Sequence, residues 1–329
     1  MEKNIILIAE IPGFAPLATS EILNQIVRNV TGTLNYTLVN SVEVASALLS
    51  SANNFQIFLS NAPIKSLFSL AKKDGSNIKS TILVTNLIMD DYHHALDGME
   101  HELVDQLIAN RTPEPFTNLE IEVTLSQALN QQKKFNLSSY LKPDTHIYEH
   151  TIKHSQDREA MNEFINSFIS KYSLRGLYRK QVLSITEELL MNAIYDAPYE
   201  AGRHQEIEKN RSAQFPLEED EFCVLRYAFD GECIGMSVRD QFGLFERKKF
   251  QQYVSKVLRR SEGGEIIDKK NRGAGLGLYM ILYNSHSIVC NVAPKISTEV
   301  VSLINTTISL RDFSKQPRSI CYFKTTTKN

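Results

Sequence analysis

The chain has no tryptophan, only four cysteines, no long apolar run and almost no net charge: 36 Lys and Arg stand against 38 Asp and Glu in 329 residues, a formal charge of −2. Each shortage excludes something. A balanced charge gives no overall pull toward nucleic acid or an anionic membrane. The apolar start Ile5-Ile6-Leu7-Ile8-Ala9 is stopped by Glu10 and Pro12, too early for a signal-peptide core, and no stretch approaches membrane-spanning length. The cysteines (Cys223, Cys233, Cys290, Cys321) lack CxxC spacing and neighbouring paired histidines, so no zinc site is expected. Cys223 and Cys233 flank Asp230-Gly231; a two-residue turn there pairs Cys233 with Ala228 and puts Cys223 on the opposite face, against a disulfide. A reducing cytoplasm is the simplest compartment. Aspartate is missing altogether before Asp74.

What is present is an ordinary globular composition, 42 % apolar and 22 % charged, in a length that favours two compact units. Residues 1–133 alternate short apolar strands (Ile5–Ala9, Tyr36–Val39, Phe55–Leu59, Thr81–Thr85, Val104–Ile108) with helical patterns (Ala15–Val30, Glu43–Ser50, Ile64–Lys72, Asp90–Met99, Asn118–Asn130). Five strands and five helices in alternation predict an α/β, flavodoxin-like (βα)5 unit. Residues 134–143 read as a polar linker.

Beyond it the elements come in blocks: a strand through His146–Lys153, a helix from Asp157 to Lys171, a second from Tyr178 to Ala197, strands Phe222–Phe229 and Glu232–Val238, a helix from Leu276 and a strand-rich end. Blocks of this kind predict an α+β sandwich over 144–329. Ten charges between 200 and 221 mark an exposed insertion.

Three segments of the second half carry chemistry. In Glu187-Glu188-Leu189-Leu190-Met191-Asn192-Ala193, Glu188 and Asn192 lie four apart on one helix face; they are either a solvent-facing surface or a carboxylate and amide oxygen suited to Mg²⁺ and a nucleophile. In Val238-Arg239-Asp240-Gln241-Phe242-Gly243, a strand ends at an Asp and turns through a Gly; this is either a plain turn or a carboxylate able to accept the exocyclic amine of adenine. In Arg272-Gly273-Ala274-Gly275-Leu276-Gly277-Leu278, alternating glycines before a helix leave backbone N–H groups open to a phosphate. Neither the dinucleotide fingerprint nor the P-loop fits that last segment. Between the second and third, residues 247–272 hold nine basic residues against three acidic ones. That run is a solvated helix face, a nucleic-acid contact or a lid over a triphosphate, and its position before the glycines motivates the lid.

The order Glu188–Asn192, Asp240 with Gly243, then Gly273/Gly275/Gly277 resembles the N, G1 and G2 boxes of the GHKL ATPase superfamily, over about residues 144–329. The resemblance implies a Bergerat α/β sandwich binding ATP and Mg²⁺, with Asn192 on the metal, Glu188 as general base, Asp240 and Gly243 at adenine, and Arg272, Gly273, Gly275, Leu276, Gly277 and Leu278 around the phosphates. The run from Asp157-Arg158-Glu159 through Ile194 is similar to the anti-sigma factor serine kinase branch. A histidine kinase would need a two-helix segment bearing a phosphoacceptor His; Pro143 and the alternation around His146, His150 and His154 favour a strand there. The chain departs from the family at Phe242, where the first G1 glycine is expected, at Tyr195-Asp196, where a Lys or His usually stands, and around Ser297-Thr298, where no Gly-Thr motif is evident.

The first half resembles a response-regulator receiver through its strand order and Thr85. Its third strand ends in Ser60-Asn61 and its fifth in Ala109-Asn110, so Glu10 alone represents the acidic pocket, and a pseudo-receiver without a phosphoacceptor is expected. Together the two resemblances imply a bacterial-type cytoplasmic signalling protein that transfers phosphate from ATP to a Ser or Thr of a partner of the sigma-factor or anti-sigma antagonist kind. A non-catalytic nucleotide-gated binding module and an atypical histidine kinase are the alternatives. Homodimerisation is left open, and neither membrane nor nucleic acid is expected as a partner.

Overall fold

The computed structural model describes residues 5–17, 20–33, 35–51, 54–72, 77–88, 99, 102–111, 115–129, 136–174, 176–205, 214–260 and 276–325. It is a mixed α/β protein whose chain divides into two compact units: the first from residues 1–133 with the late segment 315–321, the second chiefly from 134–257, 276–314 and 322 onward.

In the first unit, β1 (Ile6–Ala9), β2 (Tyr36–Val39), β3 (Ile57–Ser60), β4 (Ser80–Thr85) and β5 (Gln106–Ala109) form a parallel sheet in the order β2-β1-β3-β4-β5. Strands β1, β3, β4 and β5 are buried at every residue, which is why they read as continuous apolar runs instead of alternating ones. Helices α1 (Ser20–Thr31) and α4 (Pro115–Leu129) pack together, and α2 (Val42–Ser50) packs with α3 (Lys65–Ala71). Leu23, Ile26 and Val27 meet Ile121 and Leu125 in a core with Ile6, Ile8, Ile57, Ile82 and Ile108. The helix expected over Asp90–Met99 lies outside the described residues except for its end, Met99.

Here β5 pairs antiparallel with the start of a C-terminal strand, Ile320 against Leu107 and Cys321 against Gln106. Arg111, 2 % exposed, ties that segment down: its guanidinium pairs with Glu120, donates from Nε to Pro317 O (3.1 Å) and from Nη2 to Ser319 Oγ (3.0 Å). Ser319 in turn donates to Glu120 (2.8 Å) and accepts the Ala109 N–H (2.9 Å). A buried charge is tolerated only when paired and hydrogen-bonded in this way.

The second unit begins where a linker was expected, but Leu137, Tyr140 and Leu141 are buried; Asn136 caps a 3₁₀ turn there, and Leu137 packs on Gly235. Strands β6 (Tyr148–Ile152), β7 (Cys223–Phe229), β8 (Cys233–Asp240), β9 (Ser287–Ala293) and β10 (Ser297–Asn305) form an antiparallel sheet in the order β9-β10-β8-β7-β6. Its helices are α5 (Asp157–Lys171), α6 (Gly176–Met191), the short α7 (Ala197–Glu200), α8 (Arg247–Arg260), α9 (Leu276–Asn284) and α10 (Leu310–Phe313), followed by β11 (Ser319–Lys324). Helix α6 packs against α5, α9 and β8.

The β7–β8 hairpin turns one residue later than Asp230-Gly231 implies. Its tip is Gly231-Glu232, with Gly231 at φ +97° and the Asp230 carboxylate accepting the N–H groups of Glu232 (2.9 Å) and Cys233 (2.7 Å). Glycine at the first central position is what a type II′ turn needs, and Asp230 prefers to cap it from outside. All four cysteines are free and buried. The stretch 200–221, expected as an exposed insertion, is anchored at its described ends. Phe215 and Leu217 are buried, Phe215 stacks on His204 at 4.2 Å, and buried Glu221 accepts from Arg203 (3.1 Å) and contacts His204 Nε2 (3.0 Å). Burial acts to raise the Glu221 carboxyl, but the Glu218 N–H, His204 and Arg203 together hold it below its ordinary value. Among the described residues no helix is long and apolar enough to cross a membrane.

Candidate functional site

A cavity of about 300 Å³ opens in the second unit, lined by Asn192, Asp196, Ala197, Tyr199, Glu200, Asp240, Leu244, Phe245, Lys249, Tyr253, Gly277, Leu278, Thr298 and Val300. Four residues singled out in the sequence (Asn192, Asp240, Gly277, Leu278) therefore share one wall system, although they lie up to 86 positions apart.

The first wall is the end of α6. Glu188 and Asn192, half-buried, lie one turn apart, and at Asn192 the helix widens into a π-helical turn, Asn192–Asp196, closed by the Ala197 N–H donating to Asn192 O. Pro198 demands it: proline has no N–H to donate, and its ring collides with the carbonyl four residues back in an ordinary α-turn. Wide turns of this kind are frequent at functional sites because they re-aim side chains. Here the turn sends Tyr195 into the core, edge-on to Phe215 at 5.5 Å, and leaves Asp196 lining the cavity. Neighbouring Glu187 faces elsewhere, in an ion pair with Arg158 at 3.0 Å.

The second wall is the end of β8. Asp240 is buried, and its Oδ1 accepts three backbone N–H groups: Phe242 (2.8 Å), Gly243 (3.3 Å) and Thr298 (3.3 Å). Burial pushes its carboxyl up to about 6, while those three N–H groups act to lower it. A carboxyl raised by desolvation and set in a cleft marks a candidate functional group. The register Thr298↔Asp240 brings Thr298 here, at the place where the family resemblance looks for a Gly-Thr motif that the sequence does not show. Across the β7–β8 hairpin from Asp240 lies Cys223, whose thiol is pushed up by burial and then by the Asp240 charge.

Gly243 serves the backbone. It sits at φ +62°, and a Cβ there would come within 2.2 Å of Ala293 O and 2.8 Å of Ile296 N, so the turn after Asp240 closes only with glycine. Phe242, where the family resemblance calls for glycine, is buried, with the Arg203 guanidinium 5.7 Å above its ring.

The third wall is the start of α9. A Cβ on Gly277 would lie 2.7 Å from Glu188 Oε2 and 3.5 Å from Asn192 Oδ1, so the two oxygens converge on this one bare backbone position. Leu276 opens the helix. Arg272, Gly273 and Gly275 fall outside the described residues, as do residues 261–271 of the basic run. The described part of that run forms α8, whose Phe250 is buried against Phe245 (5.9 Å) and Tyr322 (5.6 Å). That anchorage turns Lys249 and Tyr253 toward the cavity. Lys249 pairs with Glu200; burial acts to lower its ammonium, but the Glu200 bond and charge outweigh it and the group is held above its ordinary value. Tyr199, Tyr253 and Val300 had no motif to mark them, whereas Lys249 belongs to the basic run that its position motivates as a lid, Glu200 to the charged stretch and Phe245 to the end of the segment carrying Asp240.

Chemically, the cavity offers apolar walls (Leu244, Phe245, Leu278, Val300), one buried hydrogen-bond acceptor at its base and hard oxygens at one end. Two such oxygens suit Mg²⁺, which keeps waters and takes its remaining ligands from phosphates. Among the described residues no group of three or more His, Cys, Asp or Glu could hold a metal ion by itself.

No family model matches the chain, and no curated protein matches it. Among solved structures the chain is similar to one in the crystal structure of the SiaB–SiaC complex from Pseudomonas aeruginosa, at 13 % identity and a TM-score of 0.33, over 47 % of this chain and 88 % of that one.

Proposed function

We propose that the second unit is an ATP-binding domain of the GHKL type, a Bergerat sandwich, and that the protein is a signalling regulator acting as a Ser/Thr protein kinase on a protein partner of the sigma-factor or anti-sigma antagonist kind. The observation that carries this reading is the convergence of Asn192, Asp240 and Gly277–Leu278, from three separate segments, on one cavity, with Glu188 Oε2 beside the Gly277 backbone. In this reading ionised Asp240 accepts the exocyclic amine of adenine, and the apolar walls enclose the ring. Asn192 would hold Mg²⁺ together with the phosphates, and the metal would supply neutralisation of the phosphate charge there. Glu188, beside Asn192, takes the proton of the attacking hydroxyl. The first unit, in its flavodoxin-like strand order, serves as a pseudo-receiver that binds or dimerises without phosphoryl chemistry.

Calorimetric titration of ATP and ADP with Mg²⁺ into the wild type and Asp240→Asn tests the site. Micromolar-range binding lost in the variant is expected, and no binding to the folded wild type would leave a protein-interaction scaffold in place of an ATPase fold. Glu188→Gln is expected to abolish phosphoryl transfer and keep ATP binding. A second reading, a nucleotide-gated binding module with negligible turnover, is favoured by Phe242 and by Asp196 in place of a cation; it predicts that ATP changes partner affinity while no phosphate moves.

A further inference from the structure

The described lining of the cavity is strongly acidic: Asp196, Glu200 and Asp240 stand against one cation, Lys249. A nucleoside triphosphate entering such a space meets repulsion from these carboxylates unless a cation faces it. The position after the motif Asn, which would supply one from α6, holds Tyr195 and Asp196 instead, and Tyr195 is buried in the core. Lys249 comes from a different element, α8, held by the buried Phe250 beside it. Its partner Glu200 ends α7, so the ion pair joins two walls of the cavity, with the centroid of the Tyr253 ring 5.7 Å from the ammonium. Both side chains are about one-third exposed, 30 % and 36 %. A single carboxylate in that setting is a weak competitor for a polyanion, since half-exposed pairs are screened and modest in strength.

We propose that Lys249 is the phosphate-reading cation of this cavity and that Glu200 is its counter-ion until a nucleoside triphosphate takes the carboxylate's place. The proposal rests on the ATP-binding reading above and adds to it a specificity residue from α8 with a built-in exchange partner. The exchange makes binding depend on the phosphates: the base and ribose do not displace Glu200, whereas a triphosphate does.

The test is titration of MgATP and of adenosine into the full chain as wild type, Lys249→Gln, Glu200→Gln and the double variant, scored as the ratio of the two affinities. Lys249→Gln is expected to lower the ATP-to-adenosine ratio about tenfold, the worth of one charge-assisted hydrogen bond. Glu200→Gln is expected to raise it several-fold, and that gain should vanish in the double variant, because the carboxylate acts through the lysine. Lys249→Arg should keep most of the preference. A ratio unchanged in Lys249→Gln, or a Glu200→Gln gain that survives in the double variant, overturns the assignment of Lys249 while leaving the adenine site standing. A folded wild type that binds neither ligand overturns both readings together, and adenosine binding by each variant certifies its fold.

Discussion

Both units place polar side chains at the ends of their strands, and the two sets are spent differently. In the first, Asn61 follows β3 and is buried; its Oδ1 accepts the Ile11 N–H (2.8 Å) and its Nδ2 donates to Ile11 O (3.2 Å) and Ala15 O (3.0 Å). Asn110 likewise donates to Pro16 O (2.6 Å), the Thr85 hydroxyl accepts the Leu87 N–H (3.1 Å), and Glu10 accepts the Leu17 N–H (3.2 Å). These groups pin loops. In the second, Asp240 takes its three backbone bonds on Oδ1 alone and borders a cavity. The Asn61 amide is taken up by backbone groups at both its oxygen and its nitrogen, whereas the backbone bonds of Asp240 all fall on one carboxylate oxygen beside a cavity.

That contrast can be broken most forcefully in the first unit. Arg111→Met leaves Glu120 buried without its partner and is expected to cost about 3–5 kcal/mol in denaturant unfolding. A loss well under 1 kcal/mol would mean that the 315–321 segment is not held by this network. The opposite sign is expected at Asp240. Its carboxyl is raised from 3.8 to about 6 by burial, so its contribution to stability is fully present below pH 3.8 and is lost as pH rises through 6. Asp240→Asn should therefore be more stable than the wild type above pH 6, by up to about 3 kcal/mol, and should flatten the pH dependence between 4 and 6. If the cavity binds ATP as proposed, affinity in the wild type should strengthen as pH rises through 6, because the adenine amine would need the ionised acceptor.

Asn61→Ala sharpens the comparison at smaller scale. It orphans buried backbone groups of the 11–15 loop, and a loss of about 1–3 kcal/mol is expected with nucleotide affinity untouched. The smallest stability effect belongs to Gly277→Ala. The atom that the new methyl meets is the far end of the flexible Glu188 side chain, which can swing away, so melting should change by about 1 kcal/mol or less while phosphoryl transfer falls. Transfer at the wild-type rate in this variant would remove Glu188 from the reading.

Much of this was legible from local pattern. The apolar runs of β1 to β5 and the helix carrying Glu188 and Asn192 on one face follow from periodicity alone, and Asp157–Lys171 forms as its pattern requires. Less was legible where one residue changes the geometry: Pro198 winds a π-turn into a helix expected to run straight to Ala197, and Gly231 shifts a hairpin by one position. Residues 200–221 read as solvent-exposed because their charges dominate; only the fold pairs Arg203 with Asp220 and Glu221 and buries Phe215 and Leu217 between the charged stretches.

By itself the sequence determined the alternation of the first half, the block order of the second and the short-range spacing of the candidate site residues, because strand and helix periods are written in neighbours within one or two turns. Tertiary structure alone decided that Thr298 lies beside Asp240, that Lys249 and Glu200 face one cavity with Gly277, and that Ser319 and Cys321 complete a sheet begun more than two hundred residues earlier. Strand pairing and helix packing are made between segments whose local patterns carry no record of their partners. Burial and hydrogen-bond satisfaction in the folded whole select them.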